Sequence, residues 1–257
     1  MSVVIVIPAR YASTRFPGKP LSVFRGQDGN SRTLIEHTWR VGMAVPGVDA
    51  VYVATDDRRI VDVCEAFGAS VVMTSSECHN GTERCAETLG KIAERPDIII
   101  NLQGDAPLTP VWFLSDLVSA MKQNPQFDAA TPVLLCDAKA LERLRKDRRQ
   151  GRVGGTTAVF DDSHRALYFS KEVLPFGSGA CFHHVGVYAY RPNALEAYLS
   201  WSEGNLERSE GLEQLRFLEN GSSILCVKVD AKDRDFWEVN NPEDIAIIEE
   251  MLGAQHA

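Results

Sequence analysis

The chain opens on an uninterrupted apolar run, Val3-Val-Ile-Val-Ile7, ended by Pro8. A continuous β-branched run suits a strand buried on both faces of a parallel sheet better than the alternation of a half-exposed strand. Apolar positions then fall at helical spacing from Thr33 to Val45. Ala50 to Thr55 reads as a second strand ending in Asp56-Asp57, and Arg58 to Phe67 as an amphipathic helix closed by Gly68. Ala69 to Met73, Thr82 to Glu94 and Asp97 to Leu102 follow as strand, helix and strand. This β-α-β-α-β-α-β alternation predicts right-handed crossovers and an α/β fold with a doubly wound, mostly parallel sheet. Ligands are expected at the carboxyl ends of its strands.

Beyond residue 126 the pattern changes to strand-like pieces at Ala129 to Leu134, Thr156 to Phe160 and His184 to Tyr190. The basic stretch between them, Arg143 to Arg152, reads as a solvated helix face or loop rather than a binding patch. These strands are expected to continue the sheet and to carry a small excursion used for acceptor binding or for pairing two chains. The last element is a helix from Pro242 to Leu252, with Asn241 as N-cap and Glu243 and Asp244 near its positive end. No linker and no repeat interrupts the pattern, so residues 1–257 are expected to form a single domain.

Composition narrows the class. Of the 257 residues, 44% are hydrophobic and 24% charged, the balance of an ordinary globular protein. A formal net charge of -8 argues against broad nucleic-acid binding, which needs surplus Lys and Arg. No apolar run approaches the roughly 20 residues of a membrane helix. The first basic residue, Arg10, follows the apolar start rather than preceding it, unlike a signal peptide, so a cytoplasmic protein is expected. Six scattered cysteines, without CxxC or a His-Cys cluster, suggest neither a zinc site nor a disulfide framework.

The densest chemistry lies in Pro8-Ala-Arg10-Tyr-Ala-Ser-Thr-Arg15-Phe-Pro-Gly-Lys19-Pro-Leu, which places three cations directly after the first strand, where a triphosphate would lie. Phosphoryl chemistry needs such fixed positive groups to stabilise charge spread over several oxygens. The same segment also reads as a solvated loop, and it is no Walker loop, because GxxxxGK[ST] does not occur. Asp105, in Gln-Gly-Asp after a buried strand, is the best single candidate for a magnesium ligand, since magnesium takes one or two carboxylates and keeps several waters. A turn aspartate after glycine is the alternative.

Together with Val53-Ala-Thr-Asp56, Gly81-Thr-Glu-Arg84, Leu102-Gln-Gly-Asp-Ala-Pro107, Tyr168-Phe-Ser170, His184-Val-Gly-Val-Tyr188, Glu213-Gln-Leu-Arg216 and Pro242-Glu-Asp244, this segment resembles the cytidylyltransferase family. Within it the chain looks like the 3-deoxy-manno-octulosonate (KDO) cytidylyltransferases, which make CMP-KDO for bacterial lipopolysaccharide. The likeness runs from residue 3 to about 250. It implies the nucleotide-diphospho-sugar transferase type of sheet, CTP and an acidic sugar as partners, magnesium as cofactor, and a homodimer. It also implies roles. Arg15, Lys19 and Asp105 would be catalytic, with Lys19 nearest the reacting phosphate. Ala9, Arg10, Thr55, Asp56, Gly81, Thr82, Arg84 and Gln103 would hold the nucleotide. His184, Tyr188, Glu213 and Gln214 would hold the acceptor, and Asp105 with Asn240 the metal.

The chain departs from the family pattern in places. Asn240 stands where the family has a second metal aspartate, and an amide oxygen coordinates without that charge. Either one carboxylate suffices, or Glu238 or Asp235 approaches the ion instead. Between Pro175 and His184 the segment is short and lacks an arginine for bidentate carboxylate recognition. Ala106 replaces a family glutamate, and a threonine in Gly154-Gly-Thr-Thr-Ala replaces a lysine. The acceptor could therefore be KDO, its 8-amino analogue, another acid sugar or a phosphonate. The substitution at Asn240 also leaves open a catalytically silent sugar-nucleotide binding protein.

Overall fold

In the computed structural model, which describes all residues except 14, 27, 152–154, 178, 233–237 and 255–257, the opening apolar run is β1 (Val3–Ala9), with Val3, Ile5 and Ile7 fully buried. The chain continues through β2 (Val23–Arg25), β3 (Ser31–Thr33), α1 (Leu34–Met43), β4 (Ala50–Thr55), α2 (Arg58–Ala66), β5 (Ser70–Met73), α3 (Gly81–Leu89), β6 (Ile98–Asn101) and α4 (Val111–Gln123). It then forms β7 (Ala129–Leu135), α5 (Ala138–Arg149), β8 (Thr156–Phe160), β9 (Ala166–Ser170), β10 (Phe182–His184) and β11 (Tyr188–Tyr190). Last come α6 (Pro192–Ser200), α7 (Asn205–Glu210), α8 (Leu215–Glu219), β12 (Ile224–Lys228) and α9 (Asp244–Ala254). The expected α/β fold is present. It divides into two compact units, one of residues 1–115 and 231–257, the other of residues 116–230.

In the first unit every pairing of the main sheet is parallel, in the order β5-β4-β1-β6. From β1 the chain moves to β4 on one side, whereas β6 lies on the other. The carboxyl ends of β1 and β6 therefore flank the point where strand order reverses, the place where open α/β sheets bind ligands. The loop after β6 comes so close to β1 that a Cβ on Gly104 would lie 2.6 Å from the Pro8 carbonyl oxygen, so only glycine fits. The chain's last segment also belongs to this unit. Val239 and Ile248 pack with Phe24 and Leu34 in a buried cluster that Phe16, Leu108, Ile245 and Leu252 flank. Burying such a side chain contributes about 1.5–3 kcal/mol, which holds the backbone on either side of Val239 in place.

The second unit is mainly antiparallel. β10 pairs with both β7 and β8, β8 with β9, and β11 with β7, while β12 joins β7 in parallel. The expected single strand from His184 to Tyr190 is instead two short strands, β10 and β11, both paired with β7. Between them the Thr131 hydroxyl donates to the carbonyls of Val185 and Val187 at 3.1 and 2.9 Å, satisfying groups the break in the ladder exposes.

Three further boundaries shift. The helix expected over Thr82 to Glu94 runs Gly81–Leu89, started by Asn80, whose side chain accepts from the Glu83 amide. The basic stretch is helical through Arg149, as α5, and Arg152 lies outside the described residues. The terminal helix starts at Asp244 rather than Pro242. The Asp244 carboxylate turns back to accept the amides of Asn240 and Asn241, the residues before the helix, at 2.8 and 2.7 Å.

Candidate nucleotide and acceptor sites

Residues 10 to 18 leave β1 and fold into a closed loop. The Tyr11 carbonyl accepts the amides of Ser13 and Gly18, and Gly18 sits at φ 71° with the Tyr11 ring against its α-carbon. A side chain at position 18 would meet both the strained backbone and that ring. On the ring's neighbourhood α2 supplies Arg59, whose guanidinium lies 3.3 Å from the Tyr11 centroid while making two hydrogen bonds to Asp57.

This loop delivers two of its cations to three oxygens. Lys19 Nζ lies 2.5 Å from Asp105 Oδ2 and donates to the Val239 carbonyl at 2.8 Å. Arg15 Nη2 donates to Asn240 Oδ1 at 3.2 Å. Asp105 is presented by the loop after β6, and its carbonyl accepts the Val239 amide at 2.9 Å, so buried Val239 brings Asn240 beside it. Arg10 is exposed, with no ion pair to the described residues. Glu238 is an exposed residue, yet the loss of water around its carboxyl and then the negative charge of Asp105 push it up to about 7, against the pull of Lys19. Asp235 lies outside the described residues. The oxygen donors of Asp105 and Asn240 fit a hard divalent cation such as magnesium, which takes oxygen ligands only.

The expected nucleotide residues gather at the ends of β1, β4 and β6. Ala9 and Thr55 are register partners across β1 and β4. Thr55 is fully buried, its hydroxyl accepting the Asp57 amide and its carbonyl the Thr74 amide. Arg84 is buried on α3, donating to Thr74 Oγ1 at 2.5 Å and lying 3.7 Å from Asp56 Oδ2. The other Asp56 oxygen is buried without a hydrogen-bond partner, and a native protein rarely leaves such an atom unpaired unless a ligand or water serves it. Gly81 opens α3, Thr82 beside it is buried, and a Cβ at Gly81 would crowd the amide nitrogens of Asn101 and Gln103. Gln103 donates to Asn101 Oδ1 at 3.3 Å, leaving Asn101 Nδ2 buried and unpaired.

Asn101, Tyr11 and Arg59 were not singled out from the sequence. A polar residue ending the buried run Ile98-Ile-Ile100 was the available signal for Asn101. For Arg59 there was none, because its contact with Tyr11 exists only once β1 and β4 pair.

In the second unit His184 is 6% exposed, packed edge-on to Phe169 at 5.0 Å and tilted against Tyr188 at 5.5 Å, with Nε2 unpaired. Burial, and secondarily the charge of His183, lower its pKa to about 3, so it is a neutral hydrogen-bonding group. Tyr188 is buried and stacked on Tyr190. Gln214 is 2% exposed just before α8, with Nε2 also unpaired. The Glu213 carbonyl accepts the Tyr198 hydroxyl at 3.4 Å. Two carboxylates order the surroundings. Glu207 forms a buried two-point ion pair with Arg216 at 2.6 and 2.7 Å. Glu210 accepts the Ser170 hydroxyl at 2.6 Å and the Lys171 amide at 2.8 Å. In the short segment before His184, Phe176 is fully exposed and Ser178 lies outside the described residues. The threonines of the Gly154 segment lie on β8, Gly154 itself falling outside the described residues.

Known proteins resemble the chain over its whole length. The family model described as Cytidylyltransferase matches residues 4–224. A 3-deoxy-manno-octulosonate cytidylyltransferase of Maricaulis maris (strain MCS10) is 44% identical, over 99% of this chain and 98% of its own. An 8-amino-3,8-dideoxy-manno-octulosonate cytidylyltransferase of Shewanella pealeana is 39% identical, over 98% and 99%. A solved CMP:2-keto-3-deoxy-manno-octonic acid synthetase complexed with CTP superposes with a TM-score of 0.87 at 32% identity, over 100% of both chains. With its cationic loop at the strand-order reversal and full-length relatives of this kind, the chain belongs to the cytidylyltransferase family of nucleotidyltransferases.

Proposed function

We propose that this enzyme transfers CMP from CTP to 3-deoxy-D-manno-octulosonate, giving CMP-KDO and pyrophosphate for lipopolysaccharide synthesis. The observation that carries the reading is the placement of Lys19 and Arg15 on Asp105 and Asn240 where strand order reverses. The activity for which the 44% identical relative of Maricaulis maris is named points to the acceptor.

The reaction is an in-line displacement: an acceptor hydroxyl attacks the α-phosphorus of CTP and pyrophosphate leaves. Lys19 and Arg15 would bind the triphosphate and stabilise the charge that grows on its oxygens. Asp105, with the amide oxygen of Asn240, would hold magnesium, which supplies further neutralisation of the phosphates and acidifies an oxygen bound to it. Alignment of acceptor and phosphorus accounts for much of the acceleration, so no strong general base is required. Asp56, Arg84, Gln103 and the α3 start would read the cytidine through groups that an unmatched base leaves unsatisfied. His184, Tyr188, Glu213 and Gln214 would receive the acceptor's hydroxyls. A homodimer belongs to the same proposal, and light scattering tests it.

The deciding assay is pyrophosphate release from CTP and magnesium with KDO, beside a reaction without acceptor. KDO-dependent release supports the reading. A clear preference for the 8-amino analogue, the activity named for the 39% identical relative, would replace KDO as acceptor. Nucleotide binding without release for any acid acceptor would make the chain a silent binding protein.

A further inference from the structure

The two oxygens assigned to the metal are each engaged by a cation of the phosphate loop: Asp105 by Lys19 at 2.5 Å, Asn240 by Arg15 at 3.2 Å. The pairs are unlike ordinary surface ion pairs in having the same two partners that triphosphate binding would use. Lys19 is also the better held, with 16% of its side chain exposed and a second bond to the Val239 carbonyl, whereas Arg15 is exposed.

We propose that Lys19 and Arg15 are placeholders in the nucleotide-free enzyme: they occupy the metal oxygens until a triphosphate draws them away, so that divalent cation and nucleotide enter as a coupled pair. The inference rests on the magnesium-dependent reading above and concerns how that site is kept closed to metal alone. Its basis is competition. An ammonium in contact with a carboxylate neutralises the charge that would attract a divalent ion, and displacing it without a new anion strands a cation beside that ion. A bound triphosphate supplies the new anion. Lys19 and Arg15 then pair with phosphate oxygens, and Asp105 and Asn240 are released together. The coupling is reciprocal, so metal must raise nucleotide affinity by the factor that nucleotide raises metal affinity.

The test uses Mn²⁺ as the probe, with binding to nucleotide-free full-length protein read by electron paramagnetic resonance. Lys19→Met should bind Mn²⁺ on the order of tenfold more tightly than the parent, a typical size for such coupling. Adding Asp105→Asn should abolish the gain. Arg15→Gln, at an exposed position, should give a gain of about two- to threefold, smaller because an amide oxygen carries no charge. It supplies an independent reading if Lys19→Met does not fold by circular dichroism. Unchanged or weaker Mn²⁺ binding in the folded variants overturns the proposal. Pyrophosphate release by the parent with KDO is scored separately. Release with no gain in Mn²⁺ affinity leaves the function and removes the placeholders, and a gain without release from any acceptor does the reverse.

Discussion

The candidate sites of the two units differ in how their polar groups are paired. In the parallel unit the candidate site is a set of charges already paired with one another, Lys19 with Asp105 and Arg84 with Asp56, joined by the Arg15 to Asn240 hydrogen bond. In the antiparallel unit three of the four candidate residues, His184, Tyr188 and Gln214, are buried and uncharged, Glu213 being half-buried, and two of them, His184 and Gln214, carry unpaired nitrogen atoms. Ligand charge decides the difference. A triphosphate with its metal can be met by exchanging ionic partners, at modest cost per exchange. Sugar hydroxyls offer no charge to exchange, so discrimination must come from buried polar groups left unsatisfied without the correct ligand. Neither these three nor the carboxyl of Glu213 provides a cation for the acceptor's carboxylate.

The buried ion pair of the second unit, Glu207 with Arg216, serves structure. Removing one partner strands a buried charge, so Glu207→Ala should cost about 3–5 kcal/mol in urea unfolding. It should leave Mn²⁺ binding to the folded protein unchanged. An effect on metal affinity without loss of stability would break the division between a charged site and a neutral one.

Next in size is the charged site itself. Asp105→Ala should lower kcat by about 10²–10³-fold, the scale for loss of one preorganised electrostatic contact, with circular dichroism unchanged. Near-normal turnover would remove Asp105 from the reaction and with it the contrast drawn here.

How far these features were legible in the sequence follows the same divide. The parallel half declared itself because each element is local. β1, β4 and β6 are continuous apolar runs, and Arg15, Lys19 and Asp105 stand immediately after strand ends. What brings Asn240 to them is a long-range fact, the burial of Val239 against Phe24 and Leu34 more than 200 positions earlier. Periodicity over a window cannot express that. The antiparallel half was harder to read. His184 to Tyr190 alternates well enough for one strand, but both of its ends pair with β7, and the carbonyls in the break between them are met by the distant Thr131 hydroxyl. In Leu212-Glu-Gln-Leu-Arg-Phe-Leu218 the leucines recur at i, i+3 and i+6, which would leave Gln214 on an exposed helix face, yet it stands before the first turn of α8 and is buried.

The burial of uncharged histidines at the second site has a measurable pH signature. His184 is held at about 3 and His183 at about 4, both chiefly by burial, against an ordinary value near 6.5. Below 6.5 the unfolded chain therefore takes up protons that the native state refuses. Stability contributed by these groups is present above 6.5 and is lost as pH falls toward 3 to 4, at up to about 1.4 kcal/mol per pH unit per histidine. Urea unfolding at pH 7, 6 and 5 should show that slope, and His184→Gln should reduce it by one histidine's share. An unchanged slope in that variant would mean that His184 is charged in the native protein, and the two sites would then differ less than their geometry implies.

The smallest expected effect falls on the residue that most separates this chain from its family's pattern. Asn240 offers an amide oxygen where a carboxylate would hold a divalent ion more firmly. Asn240→Asp adds one negative charge beside Arg15 and Asp105, and two opposing consequences follow. The Arg15 contact becomes an ion pair, which tightens the placeholder, while the metal gains a charged ligand once the triphosphate has displaced Arg15. The first acts only without nucleotide and the second only with it. Mn²⁺ affinity of the nucleotide-free variant should therefore change by less than about twofold, whereas the magnesium concentration for half-maximal pyrophosphate release should fall by about three- to fivefold, within the range of coupling between sites. Equal tightening in both states would show that Arg15 does not guard position 240, and the exchange of ionic partners would then rest on Lys19 and Asp105 alone.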